Sequence, residues 1–406
     1  MMDFAKLTVT PKAETALRGG HPWVYGEEVT ACDRPYENGD LVNVFGTKGK
    51  YLGTGFVNDR SKIRVRVISK NANDTFDEAF FERRLRHAVD YRRTVMGEDF
   101  SACRLIFGEA DYFPGLTVDR FGDILVTETL CLGIDRRKEM LFSLLVKILR
   151  EGGETIRAIY ERNGSEIRTL EGLEKYEGFY HAEGLSDTES GKTEITENGI
   201  VYTVDYAEGQ KTGFFLDQKY NRLAVARLAK GRHVLDAFTH TGSFGLNAAK
   251  GGAASVVSVD VSADALAVAK ENAKKNGLEE KITYLRADVF DYLDACLAEK
   301  RRDFDLIILD PPAFTKSRDT IKNAIRGYKE INMKAMRLLP RGGYLATCSC
   351  SHFMTETYFR QMLHNAAEEA GVTLKQIEAR TQSPDHPILW NVPETYYLKF
   401  YIFQIV

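Results

Sequence analysis

The chain has no apolar run long enough to span a bilayer, so no membrane-embedded function is expected. Its start, MMDFAKLTVTPK, has no signal-peptide core, and the expected location is the cytoplasm. Cysteine is scarce: Cys32, Cys103, Cys131, Cys296, Cys348 and Cys350 form no C-x-x-C pair. That spacing provides neither a disulfide framework nor a usual zinc site, so no metal is expected and a reduced compartment is. No internal repeat or low-complexity segment is present. G-x-G-x-x-G is absent too, which argues against a dinucleotide loop. A net charge of −3 excludes a strongly basic protein, but not a local basic face.

What is there describes an ordinary globular chain. Hydrophobic residues make up 44% and charged residues 28% of 406, enough for two or three domains. Charge is uneven: Lys+Arg against Asp+Glu is 11 to 8 in residues 1–70, 17 to 26 in 71–199 and 27 to 24 thereafter. Only the middle is acidic.

Residues 1–72 carry the short β-prone runs DLVNVFG, KYLGTGFV and KIRVRVIS, punctuated by glycines, and predict a small β-barrel. KIRVRVIS sets Ile63, Val65 and Val67 on one face and Lys62, Arg64 and Arg66 on the other. That basic face has two readings: an edge strand guarded against aggregation, or a surface for RNA phosphates. Residues 73–194 open with a helix whose Phe76, Phe80, Leu85 and Val89 form an apolar stripe. LTVDRFG, DILVTETL and RAIYERN read as strands and KEMLFSLLVKILR as a helix, giving an α+β middle domain. In residues 195–406 the runs RHVLDAF, SVVSVDV, KITYLRAD, FDLIILD and GYLATCS alternate with helical stretches. That series predicts an α/β, doubly wound, mainly parallel sheet.

Such sheets bind ligands at the carboxyl ends of their strands. Asp236 ends the first strand, and Phe238, Gly242 and Gly245 lie in the turn and helix start that follow. A carboxylate there repels a pyrophosphate but suits the ammonium of a methionine moiety. Asp260 ends the second strand, where an acid can accept both ribose hydroxyls. Asp288 follows the third and can accept from an adenine amine. Each acid also has a plain role as a helix cap or loop carboxylate. Together they point to S-adenosylmethionine, with Asp310 closing the set at the fourth strand.

Asp310 is followed by Pro311 and Pro312, which make a rigid exit that aims the acid at the cleft. An Asp-Pro-Pro turn can also grip an amine being methylated, usually with an aromatic residue next. Here Ala313 intervenes before Phe314. Cys348, Cys350 and His352 alternate, and three readings compete: core cysteines, a metal site, or a catalytic thiol. The position beside Asp310 favours the thiol, with Cys348 preferred and Cys350 as substitute; a cationic sulfonium nearby would lower its pKa. Carbon 5 of cytosine is a weak nucleophile, and thiolate addition at carbon 6 converts the ring to an enamine that can accept a methyl group.

These motifs resemble the RlmI-like ribosomal RNA large subunit cytosine-5 methyltransferases over almost the whole chain. The carriers are Thr347-Cys348-Ser349, RGGHPWVYGEEV, FGEADYFPGLTVDRFGD and EGQKTGFFLDQKYNR. The resemblance implies a class I Rossmann-like methyltransferase domain at 195–406, preceded by a PUA-like RNA-binding barrel at 1–72 and the middle domain at 73–194. It implies Cys348 and Asp310 as catalytic residues. It makes Lys211, Asp217, Gln218 and Arg222 candidate site residues, with Lys211, Gln218, Arg222, Pro311, Pro312 and Phe314 toward the substrate. Ribosomal RNA is the implied partner, and a homodimer is left open. Many wider relatives carry a second thiol after the proline turn, where this chain has Ala313. Two other functions compete: exocyclic-amine methylation of RNA, and a non-catalytic RNA-binding or ribosome-assembly protein.

Overall fold

The computed structural model describes all 406 residues except Glu189, Lys316 and Arg318. The chain forms two compact units, and they do not follow chain order. One unit comprises residues 1–195, 204–216 and 384–395; the other comprises 196–203, 217–383 and 396–406.

The first unit holds two sheets. The six-stranded one runs Trp23–Tyr25, Ile63–Ser69, Tyr51–Val57, Leu41–Phe45, Ala5–Val9, Val29–Cys32 from edge to edge. Alternation places Leu7, Val24, Val44, Val57 and Val65 in one core, each fully buried. Ile63–Ser69 has a neighbour on both sides, so it is not an edge strand. Its arginines are also committed internally: Arg66 pairs with the buried Glu171 at 2.7 Å, and Arg64 bonds Asp59. The edge-strand reading therefore fails, and Arg66 is turned inward; Arg64 is half-buried and Lys62 exposed.

The five-stranded sheet runs Tyr176–Tyr180, Ala158–Asn163, Ile124–Thr129, Leu116–Phe121, Ala102–Phe107. Helix Glu78–Met96 buries Phe80, Leu85 and Val89 as expected. Phe76 lies outside it, because Asp77 is the N-cap and its carboxylate accepts from Phe80 N at 3.0 Å. The excursion 384–395 is part of this unit. Asp385 accepts from Arg104 N at 2.8 Å, and its carbonyl accepts from Arg92 Nη2 at 2.9 Å. Gly20, at φ +104°, meets the same excursion: a Cβ there would stand 2.3 Å from Asn391 Nδ2. Only glycine fits.

The second unit is built on a seven-stranded sheet: β1 (His233–Ala237), β2 (Ser255–Asp260), β3 (Ile282–Arg286), β4 (Leu306–Leu309), β5 (Tyr344–Ser349), β6 (Leu374–Arg380) and β7 (Lys399–Ile405). Their order is β3-β2-β1-β4-β5-β7-β6. β7 alone is antiparallel to its neighbours. All four residues of β4 are fully buried, since helices cover both faces of a doubly wound sheet. At about 1.5–3 kcal/mol for each large aliphatic side chain, that strand is a strong anchor for the acid that follows it. The order reverses between β1 and β4, which opens the crevice at their carboxyl ends.

Candidate active site

Asp236 sits at the end of β1, fully buried. Its Oδ2 accepts from Gly245 N at 2.8 Å and from the Thr239 hydroxyl, while Oδ1 is buried with no hydrogen-bond partner. Burial pushes its carboxyl up to about 7. The turn beyond it is strained: Phe238 and His240 both have left-handed backbone, at φ +63° and +50°. Gly242 begins helix Ser243–Lys250 at φ +83°. A Cβ on Gly245 would lie 2.9 Å from Asp236 Oδ2, so glycine lets the helix start close over the acid.

Asp260 ends β2 and organises the same turn: Oδ2 accepts from His240 N and Oδ1 from Ser262 N, both at 2.9 Å. Ser262 caps helix Ala263–Lys275, its hydroxyl accepting from Ala265 N. Asp288 is exposed and caps helix Val289–Ala298, its Oδ1 accepting from Phe290 N at 2.7 Å. Phe238 lies edge-on to Phe314, with ring centroids 6.4 Å apart, and Phe314 packs on Tyr328 at 4.6 Å.

At the next two strand ends, parallel register pairs Leu309 with Thr347, so the following residues, Asp310 and Cys348, fall together. Cys348 Sγ donates to Asp310 Oδ1 at 2.8 Å. Gln218 Nε2 donates to Asp310 Oδ1 at 3.2 Å and to Cys348 Sγ at 3.4 Å. Gln218 is fixed in turn by Asn221 Nδ2, which donates to its Oε1 at 2.7 Å, and Asn221 is held by Arg380. Burial pushes the Asp310 carboxyl up to about 6. Burial and the Asp310 carboxylate push the Cys348 thiol well above its usual range. Cys350, past the end of β5, is pushed up to about 12 by burial.

Of the remaining expected residues, Pro311 is buried and Pro312 exposed. Asp217 accepts from Tyr397 OH at 2.6 Å through Oδ2, and its Oδ1 is buried with no partner. Arg222 is turned into the core, ion-paired with Glu197 at 2.7 Å, and so leaves the substrate set. Lys211 belongs to the first unit, exposed and with left-handed backbone at φ +55°. His352 is exposed beyond the strand, and no cluster able to hold a metal occurs among the described residues.

One residue was missed. Lys399, opposite Ser349 across β5 and β7, is 1% exposed. Its Nζ donates to Ser351 O at 2.6 Å and Tyr397 O at 2.8 Å, and burial draws it down to about 8. The sequence signal was a single lysine inside LKFYIFQIV.

A buried acid with one oxygen unsatisfied, under a glycine-start helix, fits the ammonium of a methionine group. The chain belongs to the S-adenosylmethionine-dependent methyltransferase family, which matches residues 137–403, and a PUA-like domain matches residues 7–70. S-adenosylmethionine is accordingly its cofactor. Along nearly its full length it is similar to proteins named ribosomal RNA large subunit methyltransferase I. That of Shewanella amazonensis is 40% identical over 97% of this chain and 98% of its own. The one from Klebsiella pneumoniae is 36% identical over 99% of each. A Streptococcus mutans SAM-dependent methyltransferase structure shares the fold, with TM-score 0.81, 22% identity and coverage of 98% and 99%. A methyltransferase solved in complex with SAH superposes at TM-score 0.82, 21% identity and the same coverage.

Proposed function

We propose that the protein methylates carbon 5 of a cytosine in large-subunit ribosomal RNA, in the cytoplasm, through a covalent adduct on Cys348. The observation that carries this reading is the 2.8 Å contact between the Cys348 thiol and the Asp310 carboxylate. The names of the full-length relatives support ribosomal RNA as the substrate. We assign the chemistry to 195–406 and RNA contact first of all to 1–72, with 73–194 as the α+β middle domain.

S-adenosylmethionine supplies the electrophilic methyl group. Asp236 Oδ1 is assigned to its ammonium, Asp260 to the ribose and the open oxygen of Asp288 to the adenine amine; Phe238 and Gly242 line the same turn. Cys348 gives its proton to Asp310, and the sulfur bonds carbon 6 of the base, which raises electron density at carbon 5. Carbon 5 would take the methyl group as the donor's sulfur–methyl bond breaks to leave a neutral thioether, and then lose its proton to a base; the bond from carbon 6 to Cys348 breaks, and the thiolate takes its proton back from Asp310. Gln218 holds sulfur and carboxylate in line throughout. The unpaired Asp217 Oδ1 is the acceptor assigned to the cytosine amine, with Pro311, Pro312 and Phe314 shaping the base slot. The raised thiol keeps its proton at rest, so the nucleophile is latent until a positive charge is brought beside it.

RNA carrying 5-fluorocytosine tests the proposal, because fluorine blocks loss of the group at carbon 5. A stable protein–RNA adduct mapping to the Cys348 peptide is expected. Methyl groups found only on an exocyclic nitrogen, with no adduct, would overturn it. Light scattering of the same protein distinguishes monomer from homodimer.

A further inference from the structure

The first unit contains a cavity of about 860 Å³ that none of the chemistry above uses. It lies between the end of strand Ile63–Ser69 and helix Glu78–Met96, and its wall includes Lys70, Arg83, Arg84 and Tyr112. The size falls within the roughly 300–1,000 Å³ of small-ligand sites.

Arg84 is the unusual member. Its guanidinium stacks between Phe80, 4.4 Å from the ring centroid, and Tyr112, at 5.1 Å, and its Nη1 is buried with no hydrogen-bond partner. Burial draws the group down to about 10, more than the Asp74 carboxylate offsets. The two acids of the cavity are already engaged. Asp111 accepts from Arg92 Nη2 at 2.7 Å, and Asp74 accepts from the Ser69 hydroxyl at 2.5 Å and Asn71 Nδ2 at 3.1 Å. Asp74 stands 3.7 Å from Arg83. Lys70 donates to the carbonyl of Leu17, which leaves its charge uncompensated. Tyr112 is 48% exposed and held at φ +61°, a costly conformation for an aromatic residue. The cavity thus offers unspent cationic donors beside a fixed, open aromatic face. An acidic peptide would use the cations alone; a nucleotide uses both.

We propose that this cavity is a second RNA subsite, separate in its residues from the methyl-transfer chemistry, that takes one unpaired nucleotide of the substrate strand. Arg84 and Lys70 receive the phosphate, and the base stacks on Tyr112. The inference rests on the RNA reading above. A base lodged there fixes the register of the strand, so the subsite serves target choice rather than chemistry.

The test uses the full-length protein and a fluorescein-labelled single-stranded RNA carrying 4-thiouridine. Tyr112→Asn tolerates the left-handed backbone and should weaken binding about fivefold or more, the range for one lost stack. Arg84→Gln should lower the slope of log affinity against log salt by about one. Photocross-linking should join wild-type protein and RNA at the peptide containing Tyr112. Both variants are checked for wild-type thermal melting, and Tyr112→Phe should keep full affinity. Unchanged affinity, slope and cross-link pattern in both variants, while wild type binds RNA, would overturn the subsite alone. Displacement of the cross-link by equimolar uridine monophosphate would assign the cavity to a free nucleotide and overturn the RNA-strand reading of it. Failure of wild type to bind any RNA would overturn this proposal together with the one it rests on.

Discussion

The thiol of Cys348 donates to the carboxylate of Asp310 across 2.8 Å, although 38 residues separate them in the chain. Parallel register between β4 and β5 makes the meeting unavoidable, because each residue comes one step after a paired position. The arrangement holds the proposed nucleophile against its proposed proton acceptor, and Gln218 bonds both from the side.

Cys348→Ala should abolish methyl transfer, by about a thousandfold or more, while leaving S-adenosylmethionine affinity unchanged. Cys350→Ala should keep most of the activity, since Cys350 lies past the strand end. Transfer of a tritiated methyl group to RNA, paired with calorimetry, separates the two. Activity surviving in Cys348→Ala would move the nucleophile to Cys350 or remove it from the mechanism.

Cofactor affinity should rise with pH through about 7, where the Asp236 carboxyl ionises, by up to about tenfold per unit below that point. The neutral acid cannot pair with an ammonium. Asp236→Asn should bind weakly at every pH, giving a flat calorimetric profile. Without ligand the sign reverses for folding. A carboxyl raised from 3.8 to about 7 contributes stability below the unfolded value, and loses it as pH climbs through 7. Urea unfolding of the ligand-free protein at pH 4.5 to 8 should show that decline, if the many other carboxylates are held constant by comparison with Asp236→Asn.

Asp260→Ala should weaken cofactor binding by about 1–3 kcal/mol, since Asp260 is the residue assigned to the ribose and ties down His240 N and Ser262 N. Calorimetry on a folded variant decides it. Unchanged affinity would take Asp260 out of the site.

Lys399 should produce an alkaline limb in the pH profile of kcat/KM. Its ammonium is drawn down to about 8, so above that pH the positive charge behind Cys348 and Cys350 is lost. Lys399→Met should remove the limb and slow the reaction at neutral pH. A profile identical to wild type would show that Lys399 only packs.

Arg222→Met should cost about 3–5 kcal/mol of stability, the penalty for removing one partner of a buried ion pair. Chemical denaturation measures the loss. A stable variant with impaired RNA binding would instead return Arg222 to the substrate set.

Strand ends were the most legible part of the chain. Alternation of apolar runs with helical stretches located β1 to β5, and the acids at their ends follow directly from parallel topology. Cys348 and Asp310 could be paired on that ground alone. What stayed hidden depends on partners distant in sequence. Arg222 looked like a substrate contact inside a polar motif, but Glu197, 25 residues away, claims it. Arg66 looked available on an alternating strand, yet Glu171 lies 105 residues on. Lys399 was overlooked because an apolar strand with one lysine reads as a surface edge, whereas β7 sits between β5 and β6.

The excursion 384–395 carries a consequence for the order of assembly on the ribosome. Domains commonly fold as they emerge, the amino-terminal one first. Here the first unit needs Pro384, Asp385 and Asn391 for Tyr91, Arg104 and Gly20, and those residues emerge within the last few dozen of the chain. Its amino-terminal portion must therefore wait, incomplete, through the synthesis of nearly all of the second unit. A chain truncated shortly before residue 384 loses the seal of its opening unit as well as its last strand, and a nascent chain stalled there would be a natural client for chaperones.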